Sequence, residues 1–338
     1  MNLQGKPTFA HPKRGLGLSV RQLGWLAIGI LATSTIPAFV GDYWVRVLIF
    51  VFINIGLASA WNIIGGFTGY ASFGHGVFFG IGAFVSAIGI VRFGLPLPVM
   101  MVLGGIAAGL VALSIAPVFK QRGLYFAMST LAVMLVFETV FQRWTFTRGL
   151  KPHDVGWTVN SQLSLIEFYY LFLLLLAAVI GSVILLVHSR AGYAMKAIHK
   201  DEVLAASIGV RTNRYKAVAF VFSAVWPGVL GAAFAPFLSF VSVQSVFDLN
   251  ITLNMILMCI FGGAGTILGP IVGGIALSVI DQIAWGNFLH YHRLINGALI
   301  VAIITLYPAG LVALVRGHVE RQRARTGASS INANLRTS

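Results

Sequence analysis

The sequence predicts an all-α integral membrane protein of about ten transmembrane helices with two glycine-interrupted segments, and three observations predict it. The chain of 338 residues is 58% hydrophobic and 9% charged, whereas soluble domains carry about 25% charged residues. Its mean hydropathy is +0.88. Its apolar residues also fall in runs close to the roughly 20 residues that one bilayer crossing needs. This composition argues against a soluble enzyme. The formal charge of +14 would suggest nucleic acid in a soluble chain. Here the Lys and Arg stand in short stretches between apolar runs, where they set orientation, and no nucleic-acid partner is expected. The lone cysteine, Cys259, lies inside an apolar run, so neither an intramolecular disulfide nor a thiolate metal cluster is available.

Residues 1–22 form a basic cytoplasmic arm with Lys6, Lys13, Arg14 and Arg21. The run from Leu23 to Val40 reads as a retained first span, because its apolar stretch continues past the small residues Ala32-Thr33-Ser34. Further runs cover 45–64, 77–93, 98–119, 124–142, 166–187, 217–240, 251–263, 266–284 and 294–315, with Pro, Gly or charge between them. The transmembrane domain is thus 23–315, followed by a basic tail, 316–338, with Arg316, Arg321, Arg323 and Arg325. With ten spans and both termini cytoplasmic, the arm, Lys120 with Arg122, the segment 188–216 and the tail share the inner side. The loop 143–165, with Arg143, Arg148 and Lys151, is the main exception, and Arg46, Arg92 and Arg293 also fall near the outer face.

Two stretches break the helical pattern. One runs Gly65-Gly66-Phe67-Thr68-Gly69-Tyr70-Ala71-Ser72-Phe73-Gly74-His75-Gly76, and the other runs Gly262-Gly263-Ala264-Gly265-Thr266-Ile267-Leu268-Gly269-Pro270. Unwound backbone at membrane depth is tolerated where it is buried in protein or lines a cavity, so such pairs point to a transport pathway. Asn62, Gly65, Gly66, Thr68, Gly69, Ser72, His75, Gly262, Gly263 and Gly265 are therefore candidate pathway residues. The competing explanation is close helix packing or tight turns, with the polar groups satisfying the broken backbone.

The segment 188–216 is the one long stretch between spans that this topology places in the cytoplasm. Met195, Ile198, Glu202, Ala205, Ala206 and Gly209 recur mostly at three- and four-residue spacing among good helix formers. The pattern predicts one short amphipathic helix ended by Gly209. A helix of this kind either stays solvated or docks into a partner's groove.

Glu202, Ala205, Ala206 and Gly209 resemble the Glu-Ala-Ala motif with trailing glycine of permease subunits in bacterial ATP-binding-cassette importers. The run Ala197-Ile198-His199-Lys200-Asp201-Glu202, with Gly209-Val210, Tyr215-Lys216, Ala219-Phe220 and Ser223-Ala224, is similar to branched-chain amino acid permeases. So are the stretches Ser72-Phe73-Gly74-His75 with Phe79-Gly80-Ile81-Gly82-Ala83, and Gly262-Gly263-Ala264-Gly265-Thr266 with Leu268-Gly269-Pro270. The resemblance implies a multi-pass permease of the bacterial inner membrane, embedded in lipid and working with separate ATPase subunits, a second permease and an extracytoplasmic solute-binding protein. Glu202, Ala205, Ala206 and Gly209 would couple it to the ATPases. The chain departs from the family pattern at Phe73, and at Phe146-Thr147-Arg148-Gly149 where a Leu-Thr-Gly-Gly loop is usual. Urea, other amides and other amino acids stay open as substrates.

No phosphate-binding loop of the Gly-x-x-x-x-Gly-Lys-Ser/Thr kind is present, so ATP would be held by the partners and this chain is expected to carry no cofactor and no enzymatic activity. His290 and His292 lie two apart with no nearby carboxylate and read as interfacial, so no metal site is expected. Asp248 and Asp281 sit near span ends. Glu138 lies inside the fifth span, after Tyr125-Phe126-Ala127-Met128-Ser129-Thr130-Leu131-Ala132. It is a candidate for attracting a substrate ammonium, and pairing with Arg143 is the competing, structural role. A self-sufficient ion-coupled transporter would need several such carboxylates, which makes it the weaker alternative.

Overall fold

The computed structural model describes Gly29 and residues 33–121, 123–144 and 156–287. The basic arm, most of the run 23–40, Arg122, Arg148, Lys151, His290, His292, Arg293, the run 294–315 and the tail lie outside the described residues.

A 3-10 turn, Ile36–Ala38, precedes α1 (Asp42–Asn62), which passes directly into a π-helical turn, Ile63–Phe67. The helix α2 (His75–Phe93) ends on Gly94 at φ +61. Next comes α3 (Leu97–Ile115), which starts behind Pro96 with Pro98 in its first turn, where a missing N–H is tolerated; it continues into a 3-10 turn, Ala116–Lys120. After α4 (Leu124–Arg143) and a short strand β1 (Gly156–Thr158), α5 (Leu165–Val187) opens on a reciprocal cap. There the Ser164 hydroxyl accepts the Glu167 N–H and the Glu167 carboxylate accepts the Ser164 N–H. Two short helices, α6 (Arg190–Lys200) and α7 (Glu202–Ser207), lead to α8 (Thr212–Leu238), then β2 (Phe240–Ser242), α9 (Val243–Val246), α10 (Leu249–Gly262) and α11 (Gly269–Asn287).

Seven of these segments are long and apolar enough to cross a membrane, and an eighth apolar helix, Gly269–Gln282, is shorter. Eight of the ten expected runs thus appear as apolar helices, but only seven at spanning length. The count of ten is not reached among the described residues, because the first and last runs fall mostly or wholly outside them. The all-helical expectation also needs one amendment. The strands β1 and β2 pair antiparallel, Trp157 opposite Val241, and Trp157 is buried beneath the Arg92 guanidinium at 5.3 Å.

The core is built on α8, the longest of the described helices, which packs most extensively against α2 and α3, while α1 packs on α5, α10 and α11. Glycine makes that approach possible. A Cβ on Gly82 would stand 1.9 Å from the Gly228 carbonyl oxygen, and one on Gly231 would stand 2.1 Å from that of Phe79. The backbones of α2 and α8 therefore pack at the small-residue spacing usual for membrane helices. By contrast α4 is peripheral: 22% of its apolar window is buried, against 78% for the span containing α1.

These contacts also test the orientation argument. Gly104 of α3 lies against Gly228 and Ala232 of α8, while Gly109 lies against Val225 and Val221, so the two helices run antiparallel. The turn Ala116–Lys120 then packs against α8, towards the end where α8 begins. Two of the four basic stretches, around Lys120 and at 188–216, thus occupy one end of the bundle, and Arg92 with the β1–β2 ladder occupies the other.

Candidate functional site

Both glycine-interrupted stretches lie at the end of the bundle that carries α6 and α7. The first break begins where glycine weakens the helix. The backbone at Ile63–Phe67 takes a wider π turn, Gly69 adopts φ +80, and helix resumes only at His75. A π turn inside a helix frequently marks a functional position. Its polar groups are satisfied from within the protein. The Thr68 hydroxyl donates to the Ile63 carbonyl (3.0 Å), the Tyr70 N–H to the Ile64 carbonyl (3.0 Å), and the Trp61 indole N–H to the Ser72 carbonyl (2.8 Å). Neighbouring spans anchor the far side: Phe73 N–H donates to Thr130 Oγ1 (3.0 Å) on α4, and Gly76 N–H to Thr252 Oγ1 (2.8 Å) on α10.

His75 is fully buried, with Nδ1 3.0 Å from Ser72 Oγ and Nε2 3.0 Å from Ser223 Oγ. The Ser223 hydroxyl donates to the Phe220 carbonyl (2.8 Å), so it accepts from Nε2–H. Ser72 Oγ accepts the Gly74 N–H (3.3 Å) and donates to Nδ1. The network assigns a neutral ring protonated on Nε2. Phe78 and Phe220 meet that ring edge to face, and an aromatic chain continues from Phe220 through Phe126 to Tyr70.

Asn62 joins the first break to the second. It is fully buried, its Oδ1 accepts from the Gly265 N–H (2.9 Å) and the Cys259 thiol (3.0 Å), and its Nδ2 donates to the Thr266 carbonyl (2.8 Å). Gly66 has no room for a side chain beneath this clamp, since a Cβ there would lie 1.8 Å from Asn62 Oδ1 and 2.4 Å from the Gly265 nitrogen. The second break is a tight turn between α10 and α11. Gly263 and Gly265 hold φ +121 and +73, and Thr266 Oγ1 donates to the Gly263 carbonyl and accepts from the Gly269 N–H. Gly262 fits so closely that its added Cβ would stand 1.7 Å from the Gly269 carbonyl oxygen.

The segment 188–216 is not the single helix that its spacing predicts. Asp201 is extended, at φ −160, and its Oδ1 accepts the N–H groups of Val203 and Leu204 (2.8 and 2.9 Å). This N-cap stops α6 and starts α7 in a new direction. The expected end at Gly209 is present. At φ +89 its N–H donates to the Ala206 carbonyl and that of Val210 to the Ala205 carbonyl, the two bonds of a Schellman motif. Of the four motif residues, Ala206 and Gly209 are exposed and Ala205 is buried. Val203, Leu204 and Ile208 form an apolar edge, each more than 60% exposed.

Glu202 turns inward. Its Oε1 lies 2.9 Å from Lys216 Nζ, and its Oε2 accepts from the Tyr70 hydroxyl. Lys216, 1% exposed, also donates to the Tyr70 oxygen at 3.2 Å and stands 4.8 Å from the centre of its ring. The neighbouring helix adds a contact, for a Cβ on Gly69 would lie 2.7 Å from His199 Nδ1 of α6. The sequence alone did not single out Tyr70 or Lys216. The available signal was a lysine on the threshold of the apolar run at 217, which must either reach water or find a buried carboxylate. Glu138 stands apart from these groups on α4, half-buried, and its carboxylate accepts from Gln142 Nε2 (3.1 Å), one turn along, rather than from Arg143. The i,i+4 partner takes it because a five-residue offset faces away.

Together these features define a multi-pass membrane permease, with two adjoining backbone breaks at one end and a helix pair seated on them. The family described as branched-chain amino acid transport system / permease component matches residues 43–304, and the chain belongs to it. Its relatives include the high-affinity branched-chain amino acid transport system permease protein LivM of Escherichia coli K12, 26% identical over 329 residues that cover 89% of this chain and 77% of the relative. The protein of the same name from Salmonella typhimurium LT2 is 26% identical over 298 residues (80% and 69%). The permease protein LivH of E. coli K12 is 21% identical over 287 residues (78% and 92%). No solved structure matches the chain.

Proposed function

We propose that this chain is one permease half of an ATP-binding-cassette importer for branched-chain amino acids. It is driven by separate ATPase subunits, paired with a second permease and supplied by an extracytoplasmic binding protein. The observation that carries the reading is α7, a six-residue helix capped at both ends, whose inner side is fixed to the bundle while Val203, Leu204 and Ile208 face outward. Three exposed apolar side chains on so short a helix and its C-cap suit a hydrophobic groove on a partner. Beside them a groove of about 580 Å³, lined by Arg190, Arg211 and Arg214 with Tyr193 and Tyr215, suits acidic residues at that partner's rim. In this reading the α6–α7 end faces the cytoplasm, as the positive-inside rule requires of its basic residues.

The two breaks then form the inner boundary of the pathway, with Asn62, Gly65, Gly66, Thr68, Gly69, Ser72, His75, Gly262, Gly263 and Gly265 shaping it. Movement of α7 under the ATPases would open or close it. Glu138, on the least buried span, would face the region shared with the second permease and attract the substrate ammonium. Ion-coupled transport by this chain alone is disfavoured, because among the seven described spans Glu138 is the one acidic residue away from a helix end. The test is uptake of leucine, isoleucine and valine into proteoliposomes holding the complete assembly. The reading expects uptake only with internal ATP and the binding protein. Uptake by this chain alone, or of urea in preference to leucine, would overturn it.

A further inference from the structure

We infer that Tyr70, Glu202 and Lys216 form a latch that transmits the position of α7 to the two backbone breaks; the inference rests on the importer reading above. Three chain segments meet at this point: the first break supplies Tyr70, the first residue of α7 supplies Glu202, and the first turns of α8 supply Lys216. The contacts among the three side chains have matching polarity. Lys216 donates to Glu202 Oε1 and to the tyrosine oxygen, and the tyrosine hydroxyl donates to Glu202 Oε2. The cluster is largely withdrawn from water, with Lys216 at 1% exposure, Tyr70 at 8% and the Glu202 side chain at 12%. A charge pair in such a place keeps one geometry, because separating the two ions where little water reaches them is costly.

Among the described residues, α7 itself makes few other contacts with the bundle. Ala205 is its one buried residue, and its other apolar side chains point outward. A force on the exposed edge of α7 therefore reaches the interior through the Glu202 carboxylate, beside the packing of Ala205 and of the adjoining α6. From there the contacts are continuous. Tyr70 is bonded through its N–H to Ile64 inside the π turn, the π turn follows Asn62, and Asn62 holds Gly265 and Thr266 of the second break. The Tyr70 ring also leads through Phe126 and Phe220 to His75. Glu202 and Lys216 are thus positioning residues, and Tyr70 is the piece they position.

The reconstituted assembly tests the latch through the ATP hydrolysed per amino acid imported, a ratio that loss of folded protein does not change. Tyr70→Phe removes one buried hydroxyl and no surface that an ATPase subunit can touch. It is expected to assemble at the level of the unmodified chain and to raise the ratio about tenfold, within the usual range of coupling between sites. Glu202→Gln is expected to raise it as well, and the double variant no further than the worse single, since both cut one connection. An unchanged ratio in Tyr70→Phe, or effects that multiply in the double variant, would overturn the latch and leave the importer reading standing. An unmodified assembly without ATP-dependent uptake would overturn both.

Discussion

Replacing Asn62 with alanine perturbs the one side chain that holds both breaks. Its amide makes three contacts with the second break and the end of α10, to the Gly265 N–H, the Thr266 carbonyl and the Cys259 thiol. The thiol is a weak donor and its loss counts for little. The other two are bonds to part-buried backbone groups, each worth about 0.5–1.5 kcal/mol. Asn62→Ala should therefore destabilise the protein by about 1–3 kcal/mol. Ser278→Ala, which removes only the 3.2 Å acceptor of the part-buried Asn54 amide, should cost about 1 kcal/mol and serves as an internal standard. Reversible unfolding in mixed SDS micelles measures both. Amide hydrogen exchange should show faster opening at Gly263–Thr266 in Asn62→Ala alone. If Asn62→Ala proves no more destabilising than Ser278→Ala, with exchange in the turn unchanged, the clamp is not what joins the breaks.

Four further substitutions separate packing, capping and docking. Gly66→Ala should sharply reduce the yield of folded protein, because its Cβ overlaps Asn62 and the Gly265 nitrogen, whereas Gly181→Ala, with nothing within 4 Å, should gain about 0.5–1 kcal/mol; thermal melts in detergent compare the two. Gly209→Ala places a Cβ on a residue at φ +89, which costs about 1–2 kcal/mol, and should lower uptake by loosening α7 while the membrane complex still assembles. Leu204→Asp should leave the fold intact and weaken ATPase association at least about tenfold, or ~1.4 kcal/mol, measured by pull-down from detergent at matched expression.

Much of this is legible in the sequence, for reasons that differ between elements. The span at Asp42–Phe67 and its neighbours declare themselves by apolar length, which the bilayer imposes on each segment independently. Gly209 was legible as a helix end because a left-handed residue there has few alternatives to glycine. The glycine breaks were visible as composition, but Asn62 meeting Gly265 was not, since nothing in local sequence relates positions two hundred apart. The division of 188–216 at Asp201 went unseen because the three- and four-residue spacing of Met195, Ile198, Glu202 and Ala205 continues across it. The aspartate cap prevails over that periodicity by satisfying two N–H groups at once. Glu202 read as a docking residue, yet it faces inward to Lys216. A carboxylate that anchors its helix and one that greets a partner look alike in one dimension.

The claim that matters most is that α7 is where the ATPase subunits act. The single cysteine, Cys259, is buried, so an introduced thiol is a clean reporter. A Leu204→Cys chain should cross-link to an ATPase subunit in assembled membranes, with a yield that changes between ATP-bound and nucleotide-free states. Phe240→Cys, at the opposite end of the bundle, should not cross-link. Absence of a cross-link from position 204, or equal yield from both ends, would contradict the account.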